Sequence, residues 1–99
     1  MGFGSMISKG LEATLNSALR EARKRRHEYF CVEHLLYALL DDAYGREILV
    51  NCGGNVKSIR DALNFFFENE LDTVPKNRNH APQQTVALER LMARAVAHV

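Results

Sequence analysis

Two cysteines in 99 residues, Cys31 and Cys52, are too few for a disulfide framework. That scarcity excludes the small disulfide-stapled scaffolds and points to a reducing, cytoplasmic setting. No apolar run approaches the roughly 20 residues of a membrane-spanning helix, so no membrane partner is expected. The first residues lack the basic start and long apolar core of a secretory signal. Excess charge is also missing: 13 Lys and Arg stand against 12 Asp and Glu, a net charge of +1. A near-neutral chain lacks the field that general nucleic-acid binding needs, so no nucleic-acid partner is expected either. No G-x-x-x-x-G-K-[ST] loop is present, which excludes ATP binding by that route. No strand-like alternation of useful length occurs, so the fold class is all-α.

What is present is helical periodicity on a scale that suits one small domain. Residues 1–5, MGFGS, read as an expression remnant and are set aside. Ile7, Leu11, Leu15, Ala18, Leu19 and Ala22 fall on one helical stripe. Ser8 is a candidate cap, Gly10 weakens the first turn, and the helix should end near His27 to Tyr29. Val32 to Leu40 is apolar almost all round, which places that helix in the middle of a core. Asp41 and Asp42 break the pattern before a short helix from about Tyr44 to Asn51, ended by Gly53 and Gly54. Asn55 suits the cap of a fourth helix with Val56, Ile59, Leu63, Phe66 and Phe67 on its stripe and Phe65 opposite. Residues 72–84 turn polar, hold both prolines (Pro75 and Pro82) and read as a linker. A last helix follows, capped by Thr85, with Leu88, Leu91, Met92, Ala95, Val96 and Val99 on one face. The spacing of Leu15, Ala18, Leu19 and Ala22 recurs in Leu88, Leu91, Met92 and Ala95, an echo compatible with an internal repeat.

The segment RRHEYFCVEHLLYALL carries the residues with chemical potential. Along one unbroken helix His27, Cys31 and His34 would stand at i, i+4 and i+7, with ligand types that suit zinc. A fourth ligand would have to come from His80 or His98, and the H-E-x-x-H order is absent. Cys31 and His34 could also touch as a nucleophile pair, but no orienting third group or oxyanion hole accompanies them. The plainer reading makes the segment a sharp joint, with Cys31 as a weak cap of the second helix and Glu33 favourable in its first turn. The basic run Arg20, Arg23, Lys24, Arg25 and Arg26 reads as a solvated helix end opposing the helix dipole.

The stretch MISKGLEATLNSALREARKRRHEYFCVEHLLYALLDD resembles the start of the Clp N-terminal domain in its ClpA-type form. The matching features are Leu11–Glu12, the dense RRHEY, and VEHLLYALL; the likeness continues through REIL, CGGNVKSIRDAL and TVALERLMARAVAHV. Cys31 departs from the family's usual Thr. The resemblance implies a Clp N-domain-type helical bundle, with residues 6–71 as the first four-helix repeat, 72–84 as a linker and 85–99 as the first helix of an incomplete second repeat. It implies a non-catalytic docking domain of a hexameric AAA+ unfoldase that feeds the Clp protease, with ATP bound elsewhere in the full-length protein and no cofactor on this chain. The partners implied are a ClpS-type adaptor and protein substrates, and the adaptor-facing positions are Glu28, Glu33, Thr85 and Arg90. No metal is required; His27 and His98 lie nearby, which leaves room for an incidental surface metal contact. Alternatives are the N-domain of another Clp chaperone that contacts unfolded substrates directly, and a small metal-binding helical protein built on His27, Cys31, His34 and His98. An incomplete second repeat would leave the apolar face of the last helix, and Phe65, uncovered. The chain is then expected to self-associate or to exchange helix 85–99 between copies.

Overall fold

The computed structural model describes residues 9–76 and 81–97. Among the described residues five helices account for most of the chain: α1 (Lys9–Lys24), α2 (Val32–Leu39), α3 (Ala43–Asn51), α4 (Val56–Asn69) and α5 (Val86–Ala97). Ile7, Ser8, His80, His98 and Val99 lie outside the described residues.

Polar caps start the helices where the sequence offers them. The Asp42 carboxylate accepts from the Gly45 N–H at 2.7 Å and so opens α3. Asn55 does the same for α4 through the Ser58 N–H, and the Thr85 hydroxyl accepts from the Leu88 N–H at the start of α5. Asp42 is therefore the cap of α3 as well as a break in the preceding pattern. A Cβ on Gly45 would sit 2.8 Å from the Leu39 carbonyl oxygen, so glycine permits the close turn from α2 into α3.

α1 and α3 end in the same way. Gly53 has φ +87°, its N–H donates to the Val50 carbonyl, and the Gly54 N–H reaches the Leu49 carbonyl. This paired bonding is the Schellman termination that the two glycines predict. At the end of α1 the equivalent bonds run from Arg26 to Arg23 and from His27 to Ala22, both 3.0 Å, with Arg26 at φ +60°. Helix α1 thus stops at Lys24, one turn earlier than its residue pattern suggests. The left-handed conformation costs a non-glycine residue about 1–2 kcal/mol. The Arg26 guanidinium offsets it by donating to the carbonyls of Val74 and Pro75.

Helix α2 occupies the centre, as its apolar surround requires. One side, through Leu35 and Ala38, joins Ala18 and Ala22 of α1, Phe30, and Leu88 and Met92 of α5. The other side, through Leu36 and Tyr37, meets Leu40, Leu63 and Phe67, with Leu49, Val56, Ile59 and Phe66 around them. Phe65 points away from that core and is 63% exposed.

Two expectations need correction. Leu88 and Met92 are 0% and 5% exposed, so these two positions of the α5 face expected to lie open are packed on their own chain, while Val86 and Leu91 stay outside; the side chains of Ala95 and Val96 lie outside the described residues. The echo with α1 does not extend to burial: Leu91 is 40% exposed, whereas its counterpart Ala18 is fully buried. Residues 72–84 also do more than link. Their described parts bond to the segment between α1 and α2, where β1 (Tyr29–Phe30) pairs in parallel with β2 (Gln83–Gln84). These two-residue strands were invisible because alternation needs a longer run to register. The fold remains all-α in character.

Candidate functional site

The chain turns sharply between α1 and α2, and backbone from two distant segments holds the turn. The Glu28 N–H donates to the Asp72 carbonyl at 2.9 Å, and the Val74 N–H to the Arg26 carbonyl at 2.9 Å. The Gln83 N–H donates to the Glu28 carbonyl at 3.0 Å, and the Thr85 N–H to the Phe30 carbonyl at 3.1 Å. His27 also bridges to Thr73 in antiparallel fashion. The two-residue spacing of these bonds fixes the register of each segment.

Beneath this joint lies a chain of buried polar groups. The Cys31 backbone N–H donates to His34 Nδ1 at 3.0 Å. An amide N–H can only donate, so Nδ1 of His34 is the acceptor and its proton sits on Nε2. His34 Nε2 lies 2.8 Å from His27 Nδ1, which must then accept. The His27 proton is left on Nε2, 3.2 Å from the Phe67 carbonyl oxygen, which can only accept. The fixed groups at the two ends, an amide and a carbonyl, thereby set both tautomers. His27 is 2% and His34 0% exposed. Such burial is tolerable because every nitrogen has a partner. Among the described residues no buried side-chain nitrogen or oxygen lacks one.

The rings are clamped as well as bonded. His34 stacks on Phe67 with centroids 4.8 Å apart and planes 9° from parallel. The Arg25 guanidinium lies 4.9 Å from the centroid of the same Phe67 ring and is held by Glu21 at 2.6 Å and by Asn64 at 2.7 Å. Burial pushes His34 down to about 4, and the nearby His27 adds to that effect. His27 is also lowered, chiefly by burial. Both imidazoles are therefore neutral at physiological pH.

Cys31 is the residue preceding α2, as the sequence predicts, and is 6% exposed. Its sulfur lies 3.3 Å from His34 Nδ1. Burial pushes the thiol up to about 11, with Glu33 adding to the effect. A nucleophile needs the thiolate, so burial holds the cysteine in its unreactive form. The half-capping by His34, which accepts the Cys31 amide, is the role usually taken by Glu or Gln. Thr at position 31 would supply the better acceptor for the first turn. Cys31→Thr is expected to raise the unfolding free energy by about 0.5–1 kcal/mol. Urea denaturation checks this, and an unchanged or lower midpoint would contradict it.

The structure brings His27, Cys31 and His34 together, but around a bend and bonded to one another. Their ring nitrogens are engaged in the hydrogen-bonded chain, so no in-plane lone pair faces an ion while the chain is intact. Among the described residues no group of three His, Cys, Asp or Glu side chains is arranged to hold a metal. Of the adaptor-facing candidates, Glu28 and Glu33 are half-buried at the joint, and Thr85 is half-buried where β2 leads into α5. Thr85 is brought to the joint by its bond to Phe30, and its hydroxyl serves the cap. Arg90 is exposed on α5, five residues further on. In the basic run, Arg20, Arg23 and Lys24 are exposed, whereas Arg25 and Arg26 turn inward to hold the joint. Neither the Phe67 carbonyl nor the Arg26 clamp has a signature in the local residue pattern. Only the lack of glycine at a required helix end could have drawn attention to Arg26.

Comparison with known proteins agrees with this architecture. Residues 6–99 match the family described as the Clp repeat (R) N-terminal domain. The chain is 32% identical over 94 residues to the "ClpA homolog protein" of Fuscovulum blasticum. That alignment covers 94% of this chain and 12% of the relative, so the chain spans a small part of that protein's length. With a family match over nearly all its residues and the helical fold that goes with it, the chain belongs to the Clp N-terminal domain family.

Proposed function

We propose that this chain is the adaptor- and substrate-docking domain of a ClpA-type ATP-dependent unfoldase, and that it binds a ClpS-type adaptor. Chemistry would reside elsewhere: ATP hydrolysis in the unfoldase's own ATPase modules and peptide cleavage in the associated Clp protease. The observation that carries this reading is the pairing of Tyr29–Phe30 with Gln83–Gln84. It joins the α1–α2 joint to the start of α5, so that Glu28, Glu33 and Thr85 belong to one braced surface although up to 57 residues separate them. Charged groups on a braced backbone steer association and fix register.

The double reversal Glu28→Lys and Glu33→Lys is expected to weaken adaptor binding by about 100-fold or more. Isothermal titration calorimetry at neutral pH and modest salt measures this. Glu33 sits in the first turn of α2, where a positive charge opposes the helix dipole by about 0.3–1 kcal/mol. The circular-dichroism melt should therefore move only slightly. Undiminished binding would overturn the assignment of these residues.

A further inference from the structure

We propose that the joint bearing Glu28 and Glu33 is a proton-controlled latch: uptake of one proton by the His27–His34 pair separates the rings, frees the Cys31 amide and loosens the docking surface. As regulation of that surface, the proposal rests on the docking reading above; the latch itself rests on the hydrogen-bond geometry.

The neutral pair has one proton arrangement that satisfies every contact. A further proton has nowhere to sit without a clash of donors. On His34 Nδ1 it would face the Cys31 N–H at 3.0 Å. On His27 Nδ1 it would face the proton of His34 Nε2 at 2.8 Å. Moving that proton across to His34 Nδ1 only returns the conflict to Cys31. The closed joint therefore excludes the proton, whereas an opened joint exposes two ordinary imidazoles, each able to bind a proton near pH 6.5, and the first of these is enough to break the pair. Acidification below that value favours the open form by linkage.

The surroundings act in both directions: burial and the Arg25 charge reinforce this exclusion, whereas Glu21, Glu33 and the Phe67 carbonyl oppose it, and burial is the largest effect. From α1, Arg25 presents its guanidinium to the Phe67 ring and is itself paired with Glu21. From the joint comes the protonated Cys31 thiol. From α2 come Glu33 and Tyr37, the latter edge-on to Phe67. From α4 come the Phe67 carbonyl, already engaged, and the neutral Asn64 amide, held by Arg25. None of the four ring nitrogens is bonded to a carboxylate that would welcome an imidazolium. The burial that lowers both histidines acts in the same direction.

The released groups connect directly to the docking surface. Cys31 follows Phe30, whose carbonyl holds Thr85; His27 precedes Glu28, whose carbonyl and amide hold Gln83 and Asp72. Separation of the rings thus strains the four backbone bonds that brace the surface.

Amide hydrogen exchange on the whole chain, from pH 7 to 5, tests the latch. Protection at Glu28, Cys31, Val74 and Gln83 is expected to fall by about tenfold per pH unit below 6.5 for one proton taken up on opening, and by up to about a hundredfold where both imidazoles charge. Protection in α4 at Leu63 should not follow it. Long-range ¹⁵N imidazole spectra should show both Nδ1 atoms unprotonated at pH 7, and calorimetry should show adaptor affinity declining in step with joint protection. The variant His27→Gln/His34→Asn, which has no proton to gain, should lose the pH dependence. If it does not fold, the wild-type measurements still decide. Equal loss of protection in the joint and α4 would overturn the latch. So would an imidazole titrating near 6.5 with joint protection unchanged. Adaptor affinity that stays flat while the joint opens would remove its role in docking. No adaptor binding at any pH would instead refute the docking function and leave the exchange data to judge the latch.

Discussion

Phe67→Ala is expected to lower the unfolding free energy by about 3–5 kcal/mol, the range for removing a buried aromatic ring. For a domain of this size that approaches half of the total stability, or a fall in melting temperature of roughly 15–25 °C. The size of the effect follows from the position of the ring. Phe67 is 2% exposed and lies in the core with Leu40 and Leu63. It also forms the floor under His34, meets Tyr37 edge-on at 5.3 Å, and supports the Arg25 guanidinium. Truncation would open a cavity beneath a buried polar pair, where water could enter only by disturbing its order. Phe65, two residues earlier on the same helix, is the internal control. At 63% exposure its replacement by Ala should change stability by no more than about 0.5 kcal/mol. Guanidinium denaturation of both variants makes the comparison. Similar midpoints for the two would refute the assignment of Phe67 as the support of the joint.

His34→Leu is expected to lower stability by about 3 kcal/mol at pH 7.5, even though leucine has similar bulk and is apolar. The substitution leaves the Cys31 N–H and His27 Nδ1 without partners in a site that water does not reach, at about 1–3 kcal/mol each. The pH dependence distinguishes this from a simple packing defect. His34 is pushed from the ordinary 6.5 to about 4 in the folded protein. Unfolded chains therefore bind more protons than folded ones between those values, and stability rises with pH across that window. The contribution is complete above about pH 6.5 and declines toward pH 4, by about 3 kcal/mol in all. The wild-type protein should lose stability over this range and the leucine variant should lose less, so the gap between them should narrow as the pH falls. Chemical denaturation at pH 7.5, 6, 5 and 4 checks this. A gap constant with pH would mean that His34 acts only by its shape.

Much of the fold could be read in the sequence because its signals are local. The stripe of α4 and the apolar surround of α2 specify which faces are buried, and the packing on both sides of α2 follows. Asn55 and Thr85 act as caps because their side-chain oxygens reach an N–H three residues on, a contact decided within one turn. Gly53 ends α3 for an equally local reason. The end of α1 was not legible in the same way. Its left-handed residue is Arg26, and what makes that acceptable is a pair of carbonyls at Val74 and Pro75, far along the chain. The strand pair was hidden because two residues carry no period.

The candidate site divides along the same line. The expectation of a joint with Cys31 at the head of α2 came from residue types and spacing, and the structure has Cys31 there; the bend expected between Tyr29 and Val32 falls earlier, at the left-handed Arg26, and Tyr29 to Cys31 are extended. The same spacing also allowed a continuous helix with three converging ligands, since His and Cys at i, i+4 and i+7 are ambiguous until the backbone direction is known. By itself, then, the sequence determined where the helices lie, which faces they bury and that a joint interrupts them, because periodicity and capping act over a few residues. Only the tertiary structure decided what the joint does with its histidines: the Phe67 carbonyl, 40 residues from His27, anchors one end of the hydrogen-bonded chain. Local pattern carries no information about which distant backbone group will meet a buried imidazole, and that meeting fixes where the protons reside.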